Sequence, residues 1–327
     1  MQSEAIFGAL ADGTRLRIMR LLGTMELAVG ELAQVLGQSQ PRVSRHIAIL
    51  CDAGLAERRK EGSWVFIRLP AVQGDAPFSL EVTRLLQVAE RTDALLASAC
   101  NADRQRLEEI TRAREEVAAA YFAAHAAQWD ALRALHSPDK MVESALLNAL
   151  GDSPLGRVLD IGTGTGRMAE VFAPSSERIT ALDKSLDMLR LARAKLQHLP
   201  PERLELVQGD FNGLPFAAAS FDTVLLHQVL HFAQNPAAVL AETARVARPG
   251  GRIAVVDFAA HDREELRERH AHARLGFTDW QMAQFLAKAG CVLAEPVALE
   301  GGTLVVKIWV ATKPAAPVSA APLVVNG

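Results

Sequence analysis

Three cysteines, a single tyrosine and no long apolar run are what this 327-residue chain has least of. Cys51, Cys100 and Cys291 are odd in number and far apart. They suggest neither a disulfide framework nor a CxxC metal pair, so idle thiols in a reducing cytoplasm are the expectation. No apolar stretch approaches the roughly 20 residues that cross a bilayer. The first residues, MQSEAIFGALADGTRLR, meet Glu4 and Asp12 before any apolar run, unlike a secretory leader. A membrane partner is therefore not expected, and the predicted location is cytoplasmic. An excess of one charge is also missing. The formal net charge is −3, so a nucleic-acid surface has to be a local patch. The length exceeds one ordinary core, and two domains are the natural expectation.

What is present divides along the chain. Residues 1–75 alternate short helical patterns with a basic strand pair. Residues 79–136 read as helix, interrupted near residues 101–103. Residues 150–312 alternate apolar strand-like runs with helical stretches, the pattern of a parallel α/β sheet. The segment 313–327, KPAAPVSAAPLVVNG, has no periodicity and is predicted to be a disordered tail. Within the helical region Leu107, Ile110, Val117, Tyr121, His125, Trp129, Leu132 and Leu135 recur on one helical face. That stripe suits packing on its own domain or on a second subunit, while its aromatic end suits a lid over a ligand.

Residues 7–22 read as a helix, a break at Asp12-Gly13 and a second helix with Arg15, Arg17 and Arg20. Val29–Leu36 is short and amphipathic and is stopped by Gly37. A further helix begins at Ser39-Gln40-Pro41, with proline suited to its first turn. Val43, Ile47 and Leu50 face inward, leaving Ser39, Gln40, Arg42, Ser44, Arg45 and His46 for another task. Arginine can pair with guanine edges, glutamine with adenine and serine with phosphate or base. A hairpin follows, carrying Arg58, Arg59 and Lys60 near its tip as a wing over phosphate or minor groove. Helix, turn, helix and basic wing in this order predict binding to double-stranded operator DNA. Residues 4–70 resemble the ArsR family of winged-helix repressors in their LADGTRLRIMRLL, SQPRVSRHIAIL and AGLAERRKEGSWVFIRL segments. The resemblance implies a homodimer that releases DNA when an effector binds. Metal-sensing members carry a cysteine pair where this chain has Ala28 and Gly30, so no metal is expected and the signal has to come from elsewhere.

The second module opens on RVLDIGTGTGR, residues 157–167, a strand ending in Asp160 before a glycine-rich turn into a helix. Such a turn alone also fits a dinucleotide site. Its continuation discriminates. The strand RITALD ends in Asp183, placed to accept ribose hydroxyls, and LVQGDF, FDTVLLH and RPGGR follow in turn. This order resembles class I S-adenosylmethionine-dependent methyltransferases of the quinone-biosynthesis type. The resemblance implies an α/β Rossmann-like methyltransferase domain, preceded here by an α+β winged helix-turn-helix domain and a helical linker. It further implies that Asp160, Gly162, Thr163, Gly164 and Gly166 hold the amino-acid end of the cofactor and that Asp183 takes the ribose. Lys184 and Met188 would line the adenine pocket, Gly209, Asp210 and Phe211 would bracket adenine, and His227 would sit beside the methionyl part.

Methyl transfer from a sulfonium requires positioning and desolvation more than elaborate acid–base groups. His227, His231, Asp257 and His261, all near the predicted carboxyl edge of the sheet, are the candidate acid–base groups, the histidines being the candidate catalytic bases. His261, His270 and His272 lack acidic or cysteine partners at metal spacing. Two functions remain open. One is a transcription regulator whose methyltransferase-like domain senses S-adenosylmethionine or S-adenosylhomocysteine, tied to the methionine cycle, as in S-adenosylhomocysteine-responsive repressors. The other is an active small-molecule methyltransferase with an autoregulatory DNA-binding domain.

Overall fold

The computed structural model describes residues 2–70, 78–126, 129 and 139–315. Leu132 and Leu135 of the helical stripe and the tail from Ala316 onward lie outside the described residues. The chain forms two compact units that are not continuous in sequence. The first comprises residues 1–124, 231–235 and 260–276; the second comprises residues 125–230, 236–259 and 277–327. This division differs from the sequence expectation, which kept residues 150–312 together.

In the first unit, α1 (Gln2–Leu10) and α2 (Gly13–Leu22) meet at Asp12, whose carboxylate accepts the Arg15 amide at 3.1 Å and starts α2. A short strand β1 (Leu27–Ala28) leads into α3 (Val29–Leu36), which Gly37 closes at φ +63°, a left-handed cap that glycine adopts without strain. Helix α4 (Gln40–Asp52) carries Pro41 in its first turn, as its sequence predicts. Strands β2 (Glu57–Glu61) and β3 (Trp64–Arg68) complete a three-stranded sheet of order β1-β3-β2. Ile18, Met19, Leu27, Leu32, Ile47, Leu50, Leu55 and Ile67 are fully buried at its centre.

Two further helices, α5 (Phe78–Thr92) and α6 (Ala94–His125), follow. The expected interruption near residues 101–103 is absent: α6 runs through it, and the break falls at Asp93, whose side chain accepts the amides of Leu95 and Leu96. Asp103 is no helix breaker because its carboxylate, buried within the unit, receives the Arg17 guanidinium through two bonds. Arg20 pairs with Glu90 in the same way at 2.6 Å. Leu107 and Ile110 pack on the winged-helix core, whereas Val117 is exposed.

The second unit is built on one sheet. Helix α7 (Asp139–Leu150) precedes β4 (Arg157–Ile161), α8 (Arg167–Phe172), β5 (Arg178–Asp183), α9 (Leu186–Lys195), β6 (Leu204–Gln208) and β7 (Phe221–His227). Then come α10 (Pro236–Val246), β8 (Ala247–Phe258), the short α11 (Glu264–His270) of the first unit, α12 (Asp279–Lys288), β9 (Val292–Leu293), β10 (Val297–Leu299) and β11 (Val306–Thr312). The sheet order is β10-β11-β8-β7-β4-β5-β6, with β9 also pairing β11. Strands β4 to β8 are parallel, and the inner strands β4, β5 and β7 are buried along almost their whole length, as strands covered on both sides must be. The expectation of a parallel sheet through residue 311 fails at its end. β11 runs antiparallel to both β8 and β10. The connection of residues 300–305 is too short for the crossover that a parallel pair requires. The order leaves β4 first, goes outward to β5 and β6, then reverses to β7 and β8. In open α/β sheets such a reversal marks the ligand crevice, here beyond the carboxyl ends of β4 and β7.

Candidate cofactor crevice and nucleic-acid surface

At the crevice, the loop after β4 turns back on β5. The amides of Gly162 and Thr163 both donate to the Leu182 carbonyl, at 2.8 and 3.0 Å. Gly162 has φ +68°, and a Cβ there would lie 2.3 Å from Cγ2 of Val229. Val229, two residues past β7, thus packs on the first glycine so closely that no side chain fits. Asp160 is buried and accepts the Thr163 hydroxyl at 2.6 Å, tying the strand end to the loop. A Cβ on Gly164 would stand 3.3 Å from Nε1 of Trp129, which places that indole against the loop.

Asp183 ends β5 and accepts the amides of Gly164 and Ser185, both at 2.8 Å. Burial pushes its carboxyl above the ordinary aspartate range, and the amides of Ser185, Gly164 and Lys184 pull part of that back. A carboxylate offers about four lone-pair sites, so two oxygens already holding amides retain capacity for ligand hydroxyls. Lys184 reaches across to Asp210 at 2.7 Å, and Met188 is buried beneath. The Gly209 amide donates to the Asp183 carbonyl at 3.0 Å, and a Cβ on Gly209 would meet Leu182 at 2.8 Å. Asp210 accepts the Asn212 amide at 2.8 Å in the turn that carries the half-buried Phe211. Every residue predicted for cofactor binding therefore lies in the second unit, at the carboxyl ends of β4 to β7.

The three candidate catalytic histidines do not share one unit. His227 ends β7 and is buried in the second. His231 and His261 belong to the first. His231 stacks on His272 with ring centroids 4.1 Å apart and packs against Phe232, while Tyr121 shares a 2.8 Å hydrogen bond with Nδ1 of His270. His261 accepts the Arg263 amide at 3.2 Å, and Asp257 accepts the amide of Phe258. Among the described residues no group of three histidine, cysteine, aspartate or glutamate side chains is placed to hold a metal.

The recognition helix sorts its predicted residues by direction. Ser39, Gln40, Arg42 and Arg45 are exposed. His46 is turned back, its Nδ1 3.6 Å from the Asp12 carboxylate. Gln40 and Ser44 line a groove of about 640 Å³ with Gln34, Arg58, Trp64 and Arg114. In β2 the two-residue period sends Arg58 and Lys60 to solvent and points Arg59 and Glu61 inward. This corrects the expectation for Arg59. Its guanidinium is tied to Glu26 at 2.9 Å and Glu61 at 2.7 Å and lies over Phe66, so it does not face outward as a phosphate contact.

That ion-pair cluster is the feature the sequence reading missed. Glu61 also accepts the Leu275 amide at 2.9 Å and the Arg267 guanidinium at 3.0 Å, and Glu26 accepts Arg274 at 2.8 Å. Arg267 lies over the Trp64 ring and Arg274 over Phe66, each at 4.4 Å. Burial alone would push both glutamates up. Arg274 and Arg59 outweigh it and hold them below the ordinary range. Alternation within ERRKE could have flagged Arg59 and Glu61 as inward. Nothing local announces Arg267 and Arg274, some 200 residues away.

Comparison with known proteins agrees with both halves. Residues 12–58 match the bacterial regulatory protein, arsR family, and residues 159–255 match a methyltransferase domain. A demethylmenaquinone methyltransferase of Renibacterium salmoninarum is 36% identical over 114 residues, covering 35% of this chain and 46% of that protein. A phosphatidylethanolamine N-methyltransferase of Cereibacter sphaeroides is 36% identical over 124 residues, covering 38% of this chain and 59% of that protein. The chain thus spans about half the length of these relatives. Among solved structures, the complex of the Haloferax volcanii Trm112 activator with a methyltransferase aligns with a TM-score of 0.50 at 22% identity. It covers 59% of this chain and 97% of that one, a likeness of fold. The chain carries an ArsR-family helix-turn-helix domain at its N-terminal side and, after it, a methyltransferase domain of Rossmann-like fold.

Proposed function

We propose that this protein is a DNA-binding transcription regulator whose methyltransferase-fold unit takes S-adenosylmethionine or S-adenosylhomocysteine as effector. The observation that carries the reading is where residues 260–276 belong. The chain leaves β8, packs this segment into the first unit through Arg267, Arg274 and Leu275 on the wing, and returns into α12. A ligand that favours one placement of this segment favours one state of the wing, and the coupling is reciprocal. Asp183 would hold the ribose, Asp160 and the Gly162 loop the amino-acid end, and Phe211 the adenine. The bound group would supply a sulfonium methyl in one form and a neutral thioether in the other. Trp129 lies beside Gly164, and an indole face turned to the sulfur would attract the cation by about 0.5–2 kcal/mol. Operator DNA is the macromolecular partner in this reading. Exposed Phe78, Leu85, Val88 and Leu95 on α5 and α6 support a homodimer, and the proposed setting is the cytoplasm and the methionine cycle.

The test is calorimetry with each ligand, followed by gel-shift titration of a DNA fragment selected on the protein, with and without saturating ligand. One ligand is expected to shift DNA affinity at least several-fold more than the other, and Asp183→Ala should weaken both ligands about tenfold, the effect of losing a charge-assisted contact. Unchanged DNA binding with both ligands bound would overturn the sensor reading. A second reading, a working small-molecule methyltransferase, is favoured by the names of the relatives. Methyl transfer to a quinol or to a phospholipid amine headgroup, measured with labelled donor, would support it.

A further inference from the structure

Gln228, the residue after β7, combines three unusual properties. Its φ is +51°, in the left-handed region where a non-glycine side chain is strained. The residue is only 8% exposed. Its Nε2 is buried with no hydrogen-bond partner among the described residues. Buried carboxamide nitrogens are ordinarily partnered, and backbone strain persists where a functional geometry requires it. The strained turn is locked rather than loose, since the Gln228 amide donates to the Val256 carbonyl on the neighbouring strand at 2.7 Å. Its position is specific too. His227 ends β7 on one side, and on the other Val229 packs against Gly162, the first residue of the loop at the sheet's reversal.

We propose that the Gln228 carboxamide is a binding group of the crevice, donating from Nε2 to the carboxylate of the ligand's amino-acid end. This rests on the reading that the crevice takes S-adenosylmethionine or S-adenosylhomocysteine. The chemistry matches the position: a neutral donor beside the glycine loop satisfies a carboxylate oxygen without adding a charge that would repel the sulfonium. The left-handed turn delivers the amide, and glycine, which adopts that turn freely, would remove the strain together with the donor.

Three variants and two ligands separate the possibilities. Gln228→Gly, Gln228→Asn and Gln228→Ala are compared by thermal melting without ligand and by calorimetry with S-adenosylhomocysteine and with methylthioadenosine, which lacks the amino-acid end. Gln228→Gly is expected to melt at or above the wild-type temperature yet bind S-adenosylhomocysteine about tenfold more weakly, the scale of one charge-assisted hydrogen bond. Gln228→Asn, which tolerates the left-handed turn but is one carbon short, is expected to melt like wild type and bind as weakly. Gln228→Ala should bind as weakly and melt below Gln228→Gly, because it keeps the strain that glycine removes. Methylthioadenosine should bind all four proteins alike. Wild-type affinity for S-adenosylhomocysteine in Gln228→Gly overturns the proposal. Equal losses for both ligands, or a loss matched by a fall in the melting temperature of Gln228→Gly, overturn it in favour of a structural role. Absence of binding to the wild-type protein overturns the reading of the crevice itself, and this inference with it.

Discussion

Basic residues of one short stretch do different work according to the direction each points. Arg45 on α4 and Lys60 on β2 are exposed, and Arg59 is enclosed by two glutamates and a phenyl ring. Three alanine substitutions therefore have three signatures. Arg45→Ala is expected to cost about 1–3 kcal/mol on a preferred DNA sequence by losing a base-edge contact. Lys60→Ala should weaken all sequences alike and flatten the salt dependence of binding by the share of one phosphate contact. Arg59→Ala should instead lower folding stability, on the order of 3 kcal/mol, because it leaves Glu26 and Glu61 buried beside fewer cations. Salt-titrated DNA binding and denaturant melts of the three variants check this. A stable Arg59→Ala protein with a flattened salt slope would return Arg59 to the DNA face. At this scale the strand ends were legible. Asp160, the glycines, Asp183 and Asp210 stand at or just past the carboxyl ends of strands that the apolar pattern placed, while their cofactor roles came only from the resemblance; Gln228 left no mark because its peculiarity is a dihedral angle and a buried atom.

The wing is the element whose stability depends on charge. Glu26 and Glu61 are held below the ordinary glutamate range, against their burial, by Arg274 and Arg59. A depressed folded value means that the contribution to stability is complete above the ordinary glutamate value, about 4.3. It is lost as the pH falls through the lower folded value. The melting temperatures of wild type and Glu61→Gln are expected to differ most near neutrality and to converge in acid. A gap that stays constant down to about pH 3 would mean that the ion pairs add nothing. Elements were mostly readable because periodicity reports burial. Helices α2, α3 and α4 and strands β4, β5 and β7 fall where the apolar pattern sets them. The failures have physical causes. Asp103 looked like a helix break until Arg17 supplied a partner across the unit, and β11 looked parallel because composition does not report strand direction, which the short connection from β10 sets for that pair.

For the whole molecule, the sequence suggested two domains in series, and the compact units interleave instead. The wing's counter-ions, Arg267 and Arg274, are encoded downstream of β8, far beyond the helix-turn-helix that they neutralise. A fragment of residues 1–124 is accordingly expected to be less stable than the same residues in the full chain. Adding Glu61→Gln and Glu26→Gln to that fragment should recover part of the loss. Thermal melts of the three proteins check it, and a fragment as stable as the full chain would show that residues 260–276 contribute nothing to the wing. The same layout bears on ancestry. A gene fusion that merely appended one reading frame to another would have left a junction where recombination could still exchange the parts. Here every breakpoint between the wing and Arg267 parts the wing from the arginines that neutralise it. A chimaera that replaces the downstream half with a homologue lacking Arg267 and Arg274 inherits two buried carboxylates with too little positive charge. The two halves of this gene are thereby committed to change together, and descendants that kept only one would have had to rebuild the wing.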